Sequence, residues 1–331
     1  MSFKDVIGHE KPIELLRRAI INDRVYHSYL FLGNEGIGKK WVALQFAKAL
    51  NCLERKVERS DACDQCLSCR KIEDQLHPDV LVIEPEGQAL KVDQVRQMQR
   101  DLVYRPYEGK RRICILTAAD RMAPNMSNTL LKTLEEPPLH TMIILLANSS
   151  RAVLPTILSR CQQISFNPLP FSSLTRWLIE KKGLHEEEAH LLAALSEGSP
   201  GKALKLQEEI HQIQREDLLQ GWLGTKALSF EEIEGWVESL PSNREDLVLV
   251  LEVAKTLLRD LVISKVLGDG AKLIHSDLGH EMEMLSSERS LSTLLNRLES
   301  IHQTILAISP LRGNANTTLA LEALMLSWGE G

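Results

Sequence analysis

No apolar run in the 331-residue sequence approaches the roughly 18 residues that a membrane-spanning helix needs. The opening segment, Met1-Ser-Phe-Lys-Asp-Val6, also lacks the apolar stretch of a secretory signal. Together these absences exclude a membrane-protein reading and make a cytoplasmic address the expectation. An excess of basic residues is missing too. The formal net charge is −6, which excludes an all-over nucleic-acid binder and confines any DNA contact to a local patch or a partner. There is no internal repeat and no low-complexity tract. What is present fits a soluble globular protein, with 44% hydrophobic and 25% charged residues. The length exceeds one ordinary core and suits two or three domains. Six cysteines in a chain without a secretory signal point to thiols or a metal rather than to disulfides.

One further absence is a single hydroxyl. Phe31-Leu-Gly-Asn-Glu-Gly-Ile-Gly-Lys-Lys40 places Gly33, Gly38 and Lys39 at the G-x-x-x-x-G-K spacing, with Gly36 between them. An apolar run (Tyr29 to Leu32) precedes it and a helical pattern (Trp41 to Leu50) follows, the strand–loop–helix setting of a phosphate-binding loop. Glycines let the backbone N–H groups face a phosphate, and the helix N-terminus adds a positive dipole end. Lys39 would reach the β- and γ-phosphates. The next position needs Ser or Thr to hold Mg²⁺. Here it is Lys40, an ammonium that repels a metal. An ordinary Gly-rich turn would explain the glycines alone, but not Gly36, Gly38 and Lys39 together.

A second metal ligand is missing further on. Strand Ile113 to Leu116 continues into Thr117-Ala-Ala-Asp120. In a phosphate-loop ATPase this strand ends in Asp-Glu, which hold the Mg²⁺ shell and orient the attacking water. Thr117 and Ala118 stand there instead, and Asp120 is not a substitute by spacing. Two independent losses predict a site that binds ATP at most and does not hydrolyse it. Asn148, at the carboxyl end of strand Thr141 to Ala147, would lie beside the nucleotide.

Cys52, Cys63, Cys66 and Cys69 lie within eighteen residues, three of them at two-residue intervals. That spacing predicts a closed tetrathiolate zinc site with a structural role, stapling the polar loop Glu54 to Asp64. A reduced Cys-rich loop and an iron–sulfur cluster are the alternatives. The loop Tyr104-Arg-Pro-Tyr-Glu-Gly-Lys-Arg-Arg112 has a basic end that would face either DNA phosphate or solvent.

Strand–helix alternation through residue 166 predicts an α/β core, a parallel sheet flanked by helices. Pro168 and Pro170 mark a linker. Helices are expected over Ser172 to Lys182, Glu186 to Ser196, Glu245 to Val266, Leu285 to Leu306 and Thr317 to Ser327. The expected domains are 1–167, 168–208 as a small helical lid, and 209–331 as an all-helical C-terminal domain. The apolar stripes of the last domain suit a core or a protein interface.

These landmarks occur in a telling order. His27-Ser28, the glycine loop and the four cysteines are followed by Leu131-Lys-Thr-Leu-Glu-Glu-Pro-Pro138 and Leu154-Pro-Thr-Ile-Leu-Ser-Arg-Cys161. Asn314-Ala-Asn and Leu319-Ala-Leu-Glu-Ala-Leu324 come last. The whole series resembles bacterial clamp-loader subunits, AAA+ proteins of the DNA polymerase III holoenzyme, over essentially the full chain. The resemblance implies an AAA+ core with a lid, then a helical collar that joins a ring of five subunits. Its partners would be gamma/tau and delta subunits, and through them the sliding clamp and primed DNA. Within the family Lys40, Thr117, Ala118 and Gly201 (where a sensor arginine would stand) look like delta-prime, whereas Ser159-Arg160-Cys161 is intact. The resemblance thus implies that Arg160 is an arginine finger, offered in trans to a neighbour's ATP. The competing reading is a catalytic gamma/tau-type ATPase in which Asp120 takes over as metal ligand.

Overall fold

The computed structural model describes residues 2–54, 60–85, 90–122, 124–210, 213, 215–223, 230–268, 272–309 and 315–329. Positions 55–59 of the expected polar loop, and Asn314 of the C-terminal motif, lie outside the described residues. The chain divides into two compact units. The first comprises Met1–Leu174 and Gly198–Lys202, the second Thr175–Glu197 and Ala203–Gly331.

The first unit alternates strands and helices. After a 3₁₀ turn at Phe3–Asp5 come α1 (Glu10–Ile21), β1 (Ser28–Leu32), α2 (Lys39–Asn51), α3 (Leu67–Glu73), β2 (Val80–Ile83) and α4 (Val92–Leu102). They are followed by β3 (Arg112–Leu116), α5 (Pro124–Glu135), β4 (Thr141–Ala147), α6 (Pro155–Leu158) and β5 (Gln162–Ser165). The strands form one parallel sheet in the order β2-β3-β4-β1-β5. Ser28 lies opposite Ile143 and Leu32 opposite Ala147, so β1 and β4 end level. Both strands are nearly all apolar, as expected where helices cover both faces of a parallel sheet.

Alternation along each strand sends neighbouring side chains to opposite faces. Tyr29 and Phe31 of β1, with Ile144 of β4, pack against Leu16 of α1 and Val42 and Phe46 of α2. Leu30 and Leu145 pack on the other face, against Val95 and Met98 of α4 and Leu130 and Leu134 of α5. This two-sided core holds the carboxyl ends of β1, β3 and β4 together along one sheet edge, where the chain turns through residues 33–38, 117–118 and 148.

The chain continues through α7 (Phe171–Lys182), α8 (Glu186–Leu195), α9 (Pro200–Ile210), α10 (Arg215–Asp217), α11 (Phe230–Ser239) and the long α12 (Arg244–Leu267), and in the second unit α8 packs against α12. That helix also carries α13 (Gly279–Glu288) and α14 (Leu291–Ile308), and α15 (Thr317–Gly329) lies on α14. Leu247, Leu251, Ala254, Leu258 and Leu261 give α12 its buried stripe. The single helix expected over Leu285 to Leu306 is in fact two, broken at Arg289-Ser290. The Ser290 side chain accepts the Thr293 N–H and starts α14 afresh. A buried polar knot lies beside α12. His275 donates its backbone N–H to Asp260 at 2.8 Å, and its Nε2 pairs with the Thr256 hydroxyl at 2.9 Å.

Candidate functional site

The glycine loop leaves β1 at Leu32 and enters α2 at Lys39. Gly36 has a φ of 71°, a left-handed conformation that favours glycine. The loop's carbonyls are held from outside. Ser199 Oγ donates to Glu35 O at 2.9 Å, the Gly201 N–H to Gly36 O at 2.8 Å, and His9 Nε2 bonds Ile37 O at 2.8 Å. The expected sensor position thus packs on the loop as bare backbone. A Cβ on Gly201 would lie 2.8 Å from Gly36 Cα and O. Among the described residues, no backbone carbonyl takes the N–H groups of residues 34–38.

Gly36, Gly38, Lys39, Lys40, Thr117, Ala118 and Asn148 line one cleft of about 390 Å³, so the structure brings the expected nucleotide residues together. Gly33 does not line it but is tied to it through Lys39, whose Nζ donates to the Gly33 carbonyl, to Asn34 O at 2.8 Å and to Asn148 Oδ1 at 3.1 Å. Burial pulls the Lys39 ammonium down to about 8, opposed by the charges of Asp120 and Glu35.

The residues at the two metal positions are otherwise engaged. Lys40 Nζ pairs with Glu84 Oε1 at 2.8 Å. The Thr117 hydroxyl donates to Ile83 O at 3.2 Å, and Ala118 opens a 3₁₀ turn with a φ of 53°. Asp120 does not line the cleft, and its Oδ1 is buried without a hydrogen-bond partner among the described residues. A hard cation needs oxygen ligands in near-octahedral array. An ammonium, an alanine and a committed hydroxyl do not fit one. Arg121, which pairs with Glu35 at 3.3 Å across the mouth, and Glu84 escaped the sequence reading, because each takes its role from a distant partner.

Arg160 lies elsewhere. It precedes β5, while the glycine loop follows the parallel neighbour β1, so the two occupy opposite edges of the sheet, a strand length of roughly 13 Å apart. Ser28 Oγ donates to Arg160 O at 2.7 Å and fixes the backbone. The guanidinium pairs with Glu135 Oε1 through Nε at 2.8 Å and Nη2 at 2.6 Å, and Nη1 donates to Thr156 O at 2.9 Å. The side chain is 35% exposed.

The four cysteines converge at the end of α2 and the start of α3. Their sulfurs lie within 4.8 Å of one another, with Cys52–Cys66 at 4.0 Å and Cys63–Cys69 at 3.9 Å. Four thiolates around zinc, at about 2.3 Å each, sit about 3.8 Å apart, so the donor set fits that ion. Lys48 of α2, fully buried, pairs with Asp64 at 2.6 Å and also with Glu73, tying α2 to both sides of the cluster. The basic loop 104–112 is built onto the same region. Asp79 accepts the N–H groups of Tyr107, Glu108 and Gly109, and Asn51 accepts those of Lys110 and Arg111.

A family model described as "DNA polymerase III, delta subunit" matches residues 8–170. DNA polymerase III subunit delta' of Bacillus subtilis (strain 168) is 30% identical, covering 97% of this chain and 96% of that protein. The chain belongs to the DNA polymerase III delta' family. The delta' subunit of Pseudomonas aeruginosa is likewise 30% identical, over 91% of each chain. DNA polymerase III subunit tau of Escherichia coli (strain K12) is 33% identical, but over 63% of this chain and 33% of its own length. Delta' relatives thus align along nearly the whole chain, and this tau relative along part of it. Among the described residues, no helix is long and apolar enough to cross a membrane.

Proposed function

We propose that this clamp-loader subunit does not hydrolyse ATP itself and acts on a neighbour's ATP through Arg160. The observation that carries this reading is the Lys40–Glu84 ion pair at the position of the metal ligand. A cation already stands where Mg²⁺ would be held, and neither Thr117 nor Ala118 supplies a carboxylate. Arg160, at the opposite edge of the sheet from its own cleft, suits service in trans. Its guanidinium is always charged and forks onto phosphate oxygens as charge builds in the transition state. Glu135 holds the group at the surface until a phosphate competes for it.

The rest of the chain falls into supporting roles. Residues 1–167 form the AAA+ domain, 168–208 the lid and 209–331 the collar, which joins gamma/tau and delta subunits in a five-membered ring. That ring loads the sliding clamp onto primed DNA. Zinc, held by Cys52, Cys63, Cys66 and Cys69, would supply structural cross-linking and no open position for chemistry.

The test is steady-state ATP hydrolysis with Mg²⁺ and primed DNA. The lone chain is expected to be inactive. Adding an ATP-competent subunit restores turnover, and Arg160→Ala in this chain removes it. Turnover by the lone chain would instead favour a catalytic subunit of the gamma/tau kind.

A further inference from the structure

Where the strands start, at the sheet edge opposite the glycine loop, the first unit has a second hollow, of about 420 Å³. Its floor is aliphatic. Ile20 near the end of α1, Val25 before β1 and Leu50 near the end of α2 all belong to the packed core on that face of the sheet. Its wall is cationic, because Lys110 and Arg111 enter from the loop before β3. Their backbones are fixed. Buried Asn51 accepts both N–H groups through Oδ1 and donates from Nδ2 to Arg111 O at 2.9 Å, and the Arg112 N–H joins the loop to His140 O at 2.8 Å. Their side chains are unspent. Among the described residues neither has an ion-pair partner, and the Lys110 ammonium makes only a long contact, 3.4 Å, to Cys52 O. Cations clamped in place beside an apolar floor are preorganised for an anion that brings apolar surface with it. The apolar exposure continues past the hollow. Leu139 on its rim is 84% exposed, and Ile21 and Tyr26, next in the chain to lining residues, are 55% and 54% exposed. A surface of that extent suits another chain better than a small solute.

We infer that this hollow docks an acidic segment of a partner protein, in which one carboxylate side chain is flanked by leucine, isoleucine or valine. Arg111 forks onto both carboxylate oxygens, and Lys110 adds a point charge. The aliphatic neighbour covers Ile20, Val25 and Leu50 and leaves water. Asp23 sets the count of anions. It is the one carboxylate in the lining among the described residues, so two cations share the hollow with one anion and take a single further one. A nucleic-acid strand would press successive phosphates against Asp23, and no aromatic ring lines the hollow for a base to stack on. The inference stands apart from the ATP reading above, since it uses neither the glycine loop nor Arg160.

The experiment is saturation-transfer difference NMR on the full chain, with a ten-residue Gly/Ser peptide that carries Leu-Glu-Leu at its centre. Transfer is expected, strongest at the leucine methyl groups, and should vanish when both leucines are replaced by alanine. Glutamine in place of the glutamate should weaken binding by about tenfold, the worth of one charge-assisted contact. The double variant Lys110→Ala, Arg111→Ala should lose at least as much, and circular dichroism checks that it is folded. Asp23→Asn should strengthen binding by about threefold, because asparagine keeps the left-handed backbone at a φ of 50° and removes the opposing charge. A merely structural role for these residues would not move affinity upward. No transfer to the peptide, a glutamine peptide that binds like the parent, a double variant that keeps the signal, or weaker binding by Asp23→Asn would each overturn the inference. So would a ten-nucleotide oligothymidylate that binds more tightly than the peptide and is lost in the same double variant, which would make the hollow a nucleic-acid contact.

Discussion

Arg160 spends both Nε and Nη2 on a single oxygen of Glu135, the Oε1 atom, 25 residues earlier in the chain. Because the arginine is partly exposed, losing this pair costs little stability. Arg160→Ala should leave the thermal midpoint of the lone chain within about 2 °C of the parent. In the assembled complex the same change should lower ATP hydrolysis by about a thousandfold at the dependent site. Arg160→Lys should rescue little, since one ammonium cannot fork onto two phosphate oxygens. Unchanged hydrolysis with Arg160→Ala would sink the trans role.

Placing an arginine at position 201 should not create an ATPase. A Cβ there would sit 2.8 Å from the Gly36 backbone, which has nowhere to yield while Ser199 and His9 hold its neighbours. Gly201→Arg is expected to destabilise the chain by about 1–3 kcal/mol in urea unfolding, with turnover still absent. A variant as stable as the parent would mean that the glycine pair does not fix the loop.

Among the described residues, the cysteine cluster has almost no aliphatic packing of its own, with Ala62 the one aliphatic side chain against the thiols. In the zinc reading, the ion would supply much of its order. Cys69→Ser should abolish stoichiometric zinc in metal analysis and lower the thermal midpoint by about 5 °C or more. Chelation of the parent should do the same. Since Lys48 would keep both Asp64 and Glu73, the helix α2 should survive in circular dichroism.

His275 gives the second unit an acid limit. Arg215 Nη1 can only donate, so His275 Nδ1 accepts at 3.3 Å and the proton sits on Nε2, facing the Thr256 hydroxyl. Burial first, then the charges of Arg215 and Arg259, lowers the imidazole from 6.5 to about 4, with Asp277 opposing. The folded state therefore resists a proton that the unfolded chain accepts. Stability is full above pH 6.5 and falls as the pH drops from there towards about 4, by up to about 3 kcal/mol. Asp260, pushed up by its own burial, takes a proton early and offsets part of the loss. Urea unfolding across this range should show the slope, and His275→Gln should flatten it.

Local patterns made much of this molecule readable in advance. The glycine loop, the cysteine spacing and the apolar strands each announce themselves within twenty residues, and each forms as expected. What stayed hidden is pairing across distance. Glu84 lies 44 residues from Lys40, Glu35 lies 86 from Arg121, and Ser199 lies 164 from Glu35. No periodicity links such partners, because only the packed sheet brings them together. The break at Arg289-Ser290 has a local signal, the polar run Ser286-Ser-Glu-Arg-Ser290, whose last residue caps the new helix.

Placing the cleft at one edge of a parallel sheet and Arg160 at the other gives the chain a direction. Subunits joined head to tail by such edges form a row in which each member activates the next. If Arg160 serves a neighbour and the chain's own cleft is silent, as proposed, one position in that row goes without turnover, and the Lys40–Glu84 pair, small as it is, would lower by one the number of ATP molecules that a round of assembly can use.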